Sequence, residues 1–221
     1  MKISHLDWTN VLEIPENEIP VIIKENKEDY RSFLHTIYRQ MYGEEGLLVV
    51  STNKEEINFS KEVDIISDYI NIDINNKKNL NKLYSILKSK AAEEIDEYVY
   101  ISKQISEYIE KLIYDEDFTL IQNKNIEIED ILKGVNLSFD YDSENILDML
   151  IEYITISDRI LGTKVFFLVN LKSFFTKEEI INIYNQLLLS KIKFIALEST
   201  CTEKIDVREK IFIFDEDFCE I

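Results

Sequence analysis

The chain has 221 residues, 45% of them hydrophobic with 12 Phe and 12 Tyr, enough apolar material to bury a sizeable core and to exclude a disordered polymer. Its 43 Asp and Glu against 25 Lys and Arg give a formal net charge of -18, which argues against a uniformly phosphate-binding surface. The opening Met1-Lys2-Ile3-Ser4-His5 has no apolar signal region, no apolar run approaches the roughly 18 residues of a membrane span, and Cys201 and Cys219 lack CxxC spacing, so a cytoplasmic protein is expected.

The N-terminal third alternates strand and helix signals. Ile19 to Ile23 reads as a short strand with Pro20 at its start, where the missing N–H is tolerated. Tyr30, Phe33, Leu34, Ile37, Tyr38 and Met41 recur at helical spacing, which predicts a helix from Lys27 to Tyr42 stopped by Gly43. Leu47 to Val50 and Val63 to Ser67 follow as candidate strands.

From Asn79 the pattern is helical for about forty residues, with Leu80, Leu83, Leu87, Ala91, Ile95, Tyr98, Val99, Ser102, Ile105, Ile109, Leu112 and Ile113 following steps of three and four. A short helix from Ile126 to Lys133 and an extended piece from Val135 to Tyr141 come next. A second long stripe, Ile146, Leu147, Leu150, Ile151, Ile154 and Ile160, has Ser143 as its N-cap and Gly162 as its stop, and is expected to return along the first. The α/β rhythm then resumes: strand Val165 to Val169, a capping box of Thr176 with Glu179 opening a helix to about Ser190, and strands Lys193 to Leu197 and Ile211 to Phe214. Strand, capped helix and strand imply parallel pairing. The expected fold is an α/β head with a mixed sheet, residues 1–85 plus 160–221, interrupted by an α-helical leg, residues 86–159.

Motifs for catalysis are scarce. No G-x-x-x-x-G-K-[ST] or G-x-G-x-x-G pattern occurs, and the nearest glycine pair, Gly43 and Gly46, encloses Glu44 and Glu45, which would repel phosphate. His5 and His35 are too remote from the cysteines for a zinc site, and no serine or cysteine triad stands out. The sequence is therefore read as non-enzymatic.

Charge is segregated along the chain. Residues 93–158 carry 18 acidic residues against Lys103, Lys111, Lys124 and Lys133, a net of -14, so the rest is nearly balanced at -4. Between Asp73 and Glu93 there is no carboxylate, yet Lys77, Lys78, Lys82, Lys88 and Lys90 are present. Lys78 and Lys82 share a helix face, a pattern that suits either phosphate tracking or an ordinary solvated surface. Copies around a symmetric ring would multiply so small a set of contacts. Two acidic clusters, Tyr114-Asp115-Glu116-Asp117-Phe118 and Phe214-Asp215-Glu216-Asp217-Phe218, lack EF-hand spacing and read as solvated acid or as calcium ligands.

Three stretches together resemble a known family. Glu62 to Asn75 followed by the helical Leu80 to Leu87, then Thr163 to Asn170 with Phe175 to Ile180, then Phe194 to Glu198 with the closing Phe214 to Phe218, resemble in order and spacing the short Csn-type CRISPR-associated proteins of type II-A systems. The resemblance implies an α/β head related to ABC-type ATPases but without their nucleotide motifs. It also implies a homotetrameric ring that holds linear double-stranded DNA by its ends during spacer acquisition, beside the CRISPR integrase proteins and the guide-RNA nuclease. The implied DNA-binding residues are Lys77, Lys78, Lys82, Lys88 and Lys90, with Lys133 matching a leg lysine that precedes the glycine at Gly134. The family's calcium-binding acidic stretch is largely replaced here by Leu120 to Asn125, which leaves Asp115, Glu116, Asp117 and Glu127 as the candidates for a shifted Ca²⁺ site. The competing readings are an adaptor that docks basic proteins through its acidic leg and a nucleotide-handling protein on an ATPase-like head.

Overall fold

In the computed structural model the described residues are 1–52, 55–114, 116–141, 145–200, 203–217 and 219–220. The chain runs β1 (Lys2–His5), β2 (Leu12–Glu13), β3 (Ile19–Lys24), α1 (Lys27–Met41), β4 (Leu48–Thr52), β5 (Glu55–Glu56), α2 (Phe59–Glu62) and β6 (Val63–Ile66). It continues with α3 (Lys77–Glu93), α4 (Ile95–Ile113), α5 (Ile128–Gly134), α6 (Ile146–Ile156) and a π-helical turn at Ser157–Leu161. The remainder is β7 (Val165–Val169), α7 (Leu171–Phe174), α8 (Lys177–Leu189), β8 (Lys193–Glu198) and β9 (Glu209–Phe214). Among the described residues, no helix is long and apolar enough to cross a membrane.

The α/β class matches expectation, but the mixed sheet resolves into two. A five-stranded sheet of order β6-β7-β8-β3-β9 is parallel throughout, and a four-stranded sheet of order β2-β1-β4-β5 is antiparallel. β3 and β7 are buried at every position, as strands covered on both faces must be. Their alternation sorts two cores. Val21, Ile23, Phe166 and Leu168 pack with Leu147, Leu150 and Ile154 of α6 and Ile180, Ile183, Tyr184 and Leu187 of α8. Ile22, Phe167 and Val169 pack with Phe33 and Ile37 of α1 and with Ile3, Leu48 and Val50 of the antiparallel sheet.

The chain divides into two compact units, Met1–Ile74 with Asp142–Ile221, and Asn75–Tyr141. The boundaries differ from the expected 85/86 and 159/160. α6 belongs with the sheet, because Leu147, Leu150 and Ile154 bury their stripe in the same core as α8. Helical periodicity shows that a face is apolar, not what covers it. Its cap is Asn145, whose side chain accepts from Leu147 N at 2.9 Å; the expected cap, Ser143, lies outside the described residues. The forty-residue helix is also interrupted, at Glu94 (φ -113°, ψ 48°). Glu93, Glu94, Asp96 and Glu97 explain the position: carboxylates weaken the carboxyl end of α3 but favour the amino end of α4, whose first turn holds Asp96 and Glu97.

Candidate nucleic-acid interface

α3 starts where the Asn76 side chain accepts from Asn79 N at 3.0 Å. Its inward side is fixed by Tyr84, which is buried and donates to Leu137 O at 2.8 Å, and by the half-buried Leu80, Leu83 and Leu87. Asn75 pins the same returning segment, exchanging hydrogen bonds with the Phe139 backbone at 2.8 and 3.1 Å. At about 100° per residue, Lys78 and Lys82 then point away from Tyr84, and between and beyond them lie Asn81, Ser85 and Ser89, all exposed. From Lys77 to Lys90 the outward face of α3 therefore holds cations and neutral polar groups with no acid, and exposed Glu93 ends it.

The six lysines singled out in sequence fall into three groups. Lys77, Lys78, Lys82 and Lys90 are exposed, and among the described residues none of them has an ion-pair partner. Lys88 is engaged: its Nζ lies 3.1 Å from Glu127 Oε2 and 3.6 Å from Glu129 Oε1, at the start of α5. The hydrogen bond to Glu127, then the charges of both acids, hold its pKa above the ordinary lysine value. Lys133 stands in the last turn of α5, exposed and apart from that contact.

Of the metal candidates, Glu116 and Asp117 are exposed, Glu127 is taken up by Lys88, and Asp115 lies outside the described residues. Among the described residues, no group of three or more His, Cys, Asp or Glu is arranged to hold a metal ion.

The first unit has a second place to inspect, the carboxyl ends of its parallel strands, where sheets of this kind ordinarily bind ligands. The turn from β3 into α1 is closed by protein atoms. Lys24 is 5% exposed, with Nζ 2.5 Å from Asp29 Oδ2 and 5.0 and 4.6 Å from the ring centroids of Phe33 and Phe214. The amide groups that begin α1 are also occupied, since Asn26 Oδ1 accepts from Glu28 N at 2.9 Å and Asp29 N at 3.1 Å. Beyond β8, Glu198 is fully buried: one oxygen accepts from Lys172 N at 3.0 Å and the other has no hydrogen-bond partner among the described residues. Burial pushes its carboxyl up to about 7, with the Lys172 backbone bond and charge pulling the other way and Glu209 adding to the rise. Glu209 is buried but satisfied, by Lys172 Nζ at 2.9 Å, Tyr184 Oη at 3.0 Å and Ile205 N at 3.0 Å.

The family model of a CRISPR-associated protein, Cas_Csn2, matches residues 40–218. The chain belongs to the Csn2 family. The match takes in the whole lysine face of α3, the Lys88 contact, α5 and most of the parallel sheet; β3, Lys24 and Asp29 precede it. It also extends the resemblance seen in the sequence, which began near residue 60. No curated protein matches the chain.

Within this Csn2-family chain, sequence reasoning missed the Lys24–Asp29 pair and the Glu198 group. The first had a signal in retrospect, because Lys24 ends a run of apolar strand residues and Asp29 lies one helical turn beyond. Nothing local marked Glu198 as buried.

Proposed function

We propose that this Csn2-family protein binds linear double-stranded DNA without catalysis, as a homotetrameric ring that takes duplex by its ends during spacer acquisition. The carrying observation is the outward face of α3, acid-free from Lys77 to Lys90, where Lys78 and Lys82, flanked by Lys77 and Lys90, lie exposed in a unit otherwise rich in carboxylates. Lysine ammonium groups that contact phosphate give affinity without sequence preference. Their number is small, so assembly of several copies supplies the remaining contacts.

Self-assembly has independent support in α4. None of its residues is buried, although Ile101, Tyr108 and Leu112 share a face and are 43%, 62% and 53% exposed. An apolar helix face of this width is ordinarily covered. The absence of catalysis is supported by the Lys24–Asp29 pair and Asn26 cap, which fill the place where an ATPase of this architecture would cradle phosphate. The integrase proteins and the guide-RNA nuclease of the CRISPR system are the proposed partners and the cytoplasm the proposed location. A Ca²⁺ site would draw on Asp115, Glu116, Asp117 and Glu127. The test is retention of linear duplex against closed circular duplex of equal length: end-threading requires the linear form to be retained and the circle to be left unbound. Equal binding of both would refute it.

A further inference from the structure

Lys88 shares the Lys77 side of α3, since eleven residues bring it round to within about 20° after three turns. It lies on the flank of the lysine face, one turn beyond Tyr84, and is held by the carboxylates of Glu127 and Glu129. These sit at the N-cap and in the first turn of α5, the helix packed against α3. All three side chains are substantially exposed, at 51%, 58% and 38%, so the contact is wet and easily exchanged. Lys77, Lys78, Lys82 and Lys90 carry no comparable contact among the described residues.

We infer that Glu127 and Glu129 form an electrostatic clasp that withholds Lys88 from the phosphate backbone and so sets the affinity of the α3 face. The inference rests on the DNA-binding reading and deepens it by naming its regulation. A phosphodiester oxygen and the two carboxylates compete for one ammonium group. DNA that wins the competition also approaches two like charges at the start of α5. Whatever neutralises or displaces the two carboxylates, a basic segment of a partner protein for instance, turns Lys88 outward and adds one phosphate contact per chain.

The test is a double-mutant cycle on the full chain with linear duplex across a salt series. Glu127→Gln with Glu129→Gln keeps side-chain shape and is expected to tighten binding by about two- to five-fold, the range for releasing an exposed ion pair. The plot of log affinity against log salt is expected to steepen by about 0.9 for each additional phosphate neutralised. In a Lys88→Gln background the same two substitutions are expected to leave the slope where it was. Helical circular dichroism and melting of each variant check that the leg helices are intact. Wild-type binding with no change on removing the acids would overturn the clasp while leaving the DNA reading standing. A gain that persists in full without Lys88 would also overturn it, by reducing the acids to general repulsion. Failure of every chain to bind duplex would remove the DNA reading and the clasp together.

Discussion

Buried Lys24 and partly buried Asp29 form an ion pair at the end of β3, with the ammonium also held between the rings of Phe33 and Phe214. Trp8 stacks on both rings, at centroid distances of 5.7 and 5.0 Å. Removing the carboxylate strands the buried ammonium, so Asp29→Leu is expected to cost about 3 kcal/mol of unfolding free energy. Lys24→Met with Asp29→Leu is expected to recover most of that loss. Urea unfolding followed by fluorescence of Trp8, the chain's only tryptophan, measures both.

The same pair bears on nucleotides. With Lys24 and Asn26 occupying the turn, Mg-ATP is expected neither to raise the melting temperature nor to be hydrolysed. A shift of several degrees, or turnover that disappears on substituting Glu198, would contradict the non-catalytic reading.

Glu198 gives the head a pH dependence. Its folded pKa is raised, so the folded state binds the proton more tightly than the unfolded chain does. The group's contribution is fully present below the ordinary glutamate value and is lost as pH rises through about 7. Glu198→Gln, which mimics the protonated form, is expected to stabilise the protein at pH 8 by about 3 kcal/mol at most. At pH 4.5 the gain is expected to be small. Equal effects at the two pH values in chemical denaturation would mean that Glu198 does not titrate in this window. Asp206 acts at the other end, because its bond to the Arg208 guanidinium holds its carboxyl down at about 2.

The open face of α4 is the place to disturb assembly. Tyr108→Glu with Leu112→Glu puts charge at two exposed apolar positions without touching a buried residue. Sedimentation velocity is expected to show a smaller species than the parent chain. An unchanged assembly would place the subunit contacts elsewhere.

Much of the fold was legible because local and tertiary signals agree. The Thr176–Glu179 capping box appears as predicted, with Glu179 N to Thr176 Oγ1 at 3.3 Å and Thr176 N to Glu179 Oε2 at 2.8 Å. The runs at Ile19 and Val165 became fully buried parallel strands, as continuous apolar runs between helices should. The failures have one physical root, contact between residues distant in sequence. Periodicity found the α6 stripe but not its partner α8, and a lysine count carries no sign of the Lys88 contact, whose acids lie some forty residues onward. The two-residue strands β2 and β5 are too short for any alternation to register.

The proposed function centres on the α3 lysine face, and the steepness of salt dependence tests it most directly. Lys77→Glu, Lys78→Glu and Lys82→Glu together should weaken retention of linear duplex and flatten the plot of log affinity against log salt by about 0.9 for each phosphate that the variant no longer neutralises. Unaltered affinity and slope in that variant, with the parent chain binding normally, would place the DNA-binding surface somewhere other than α3.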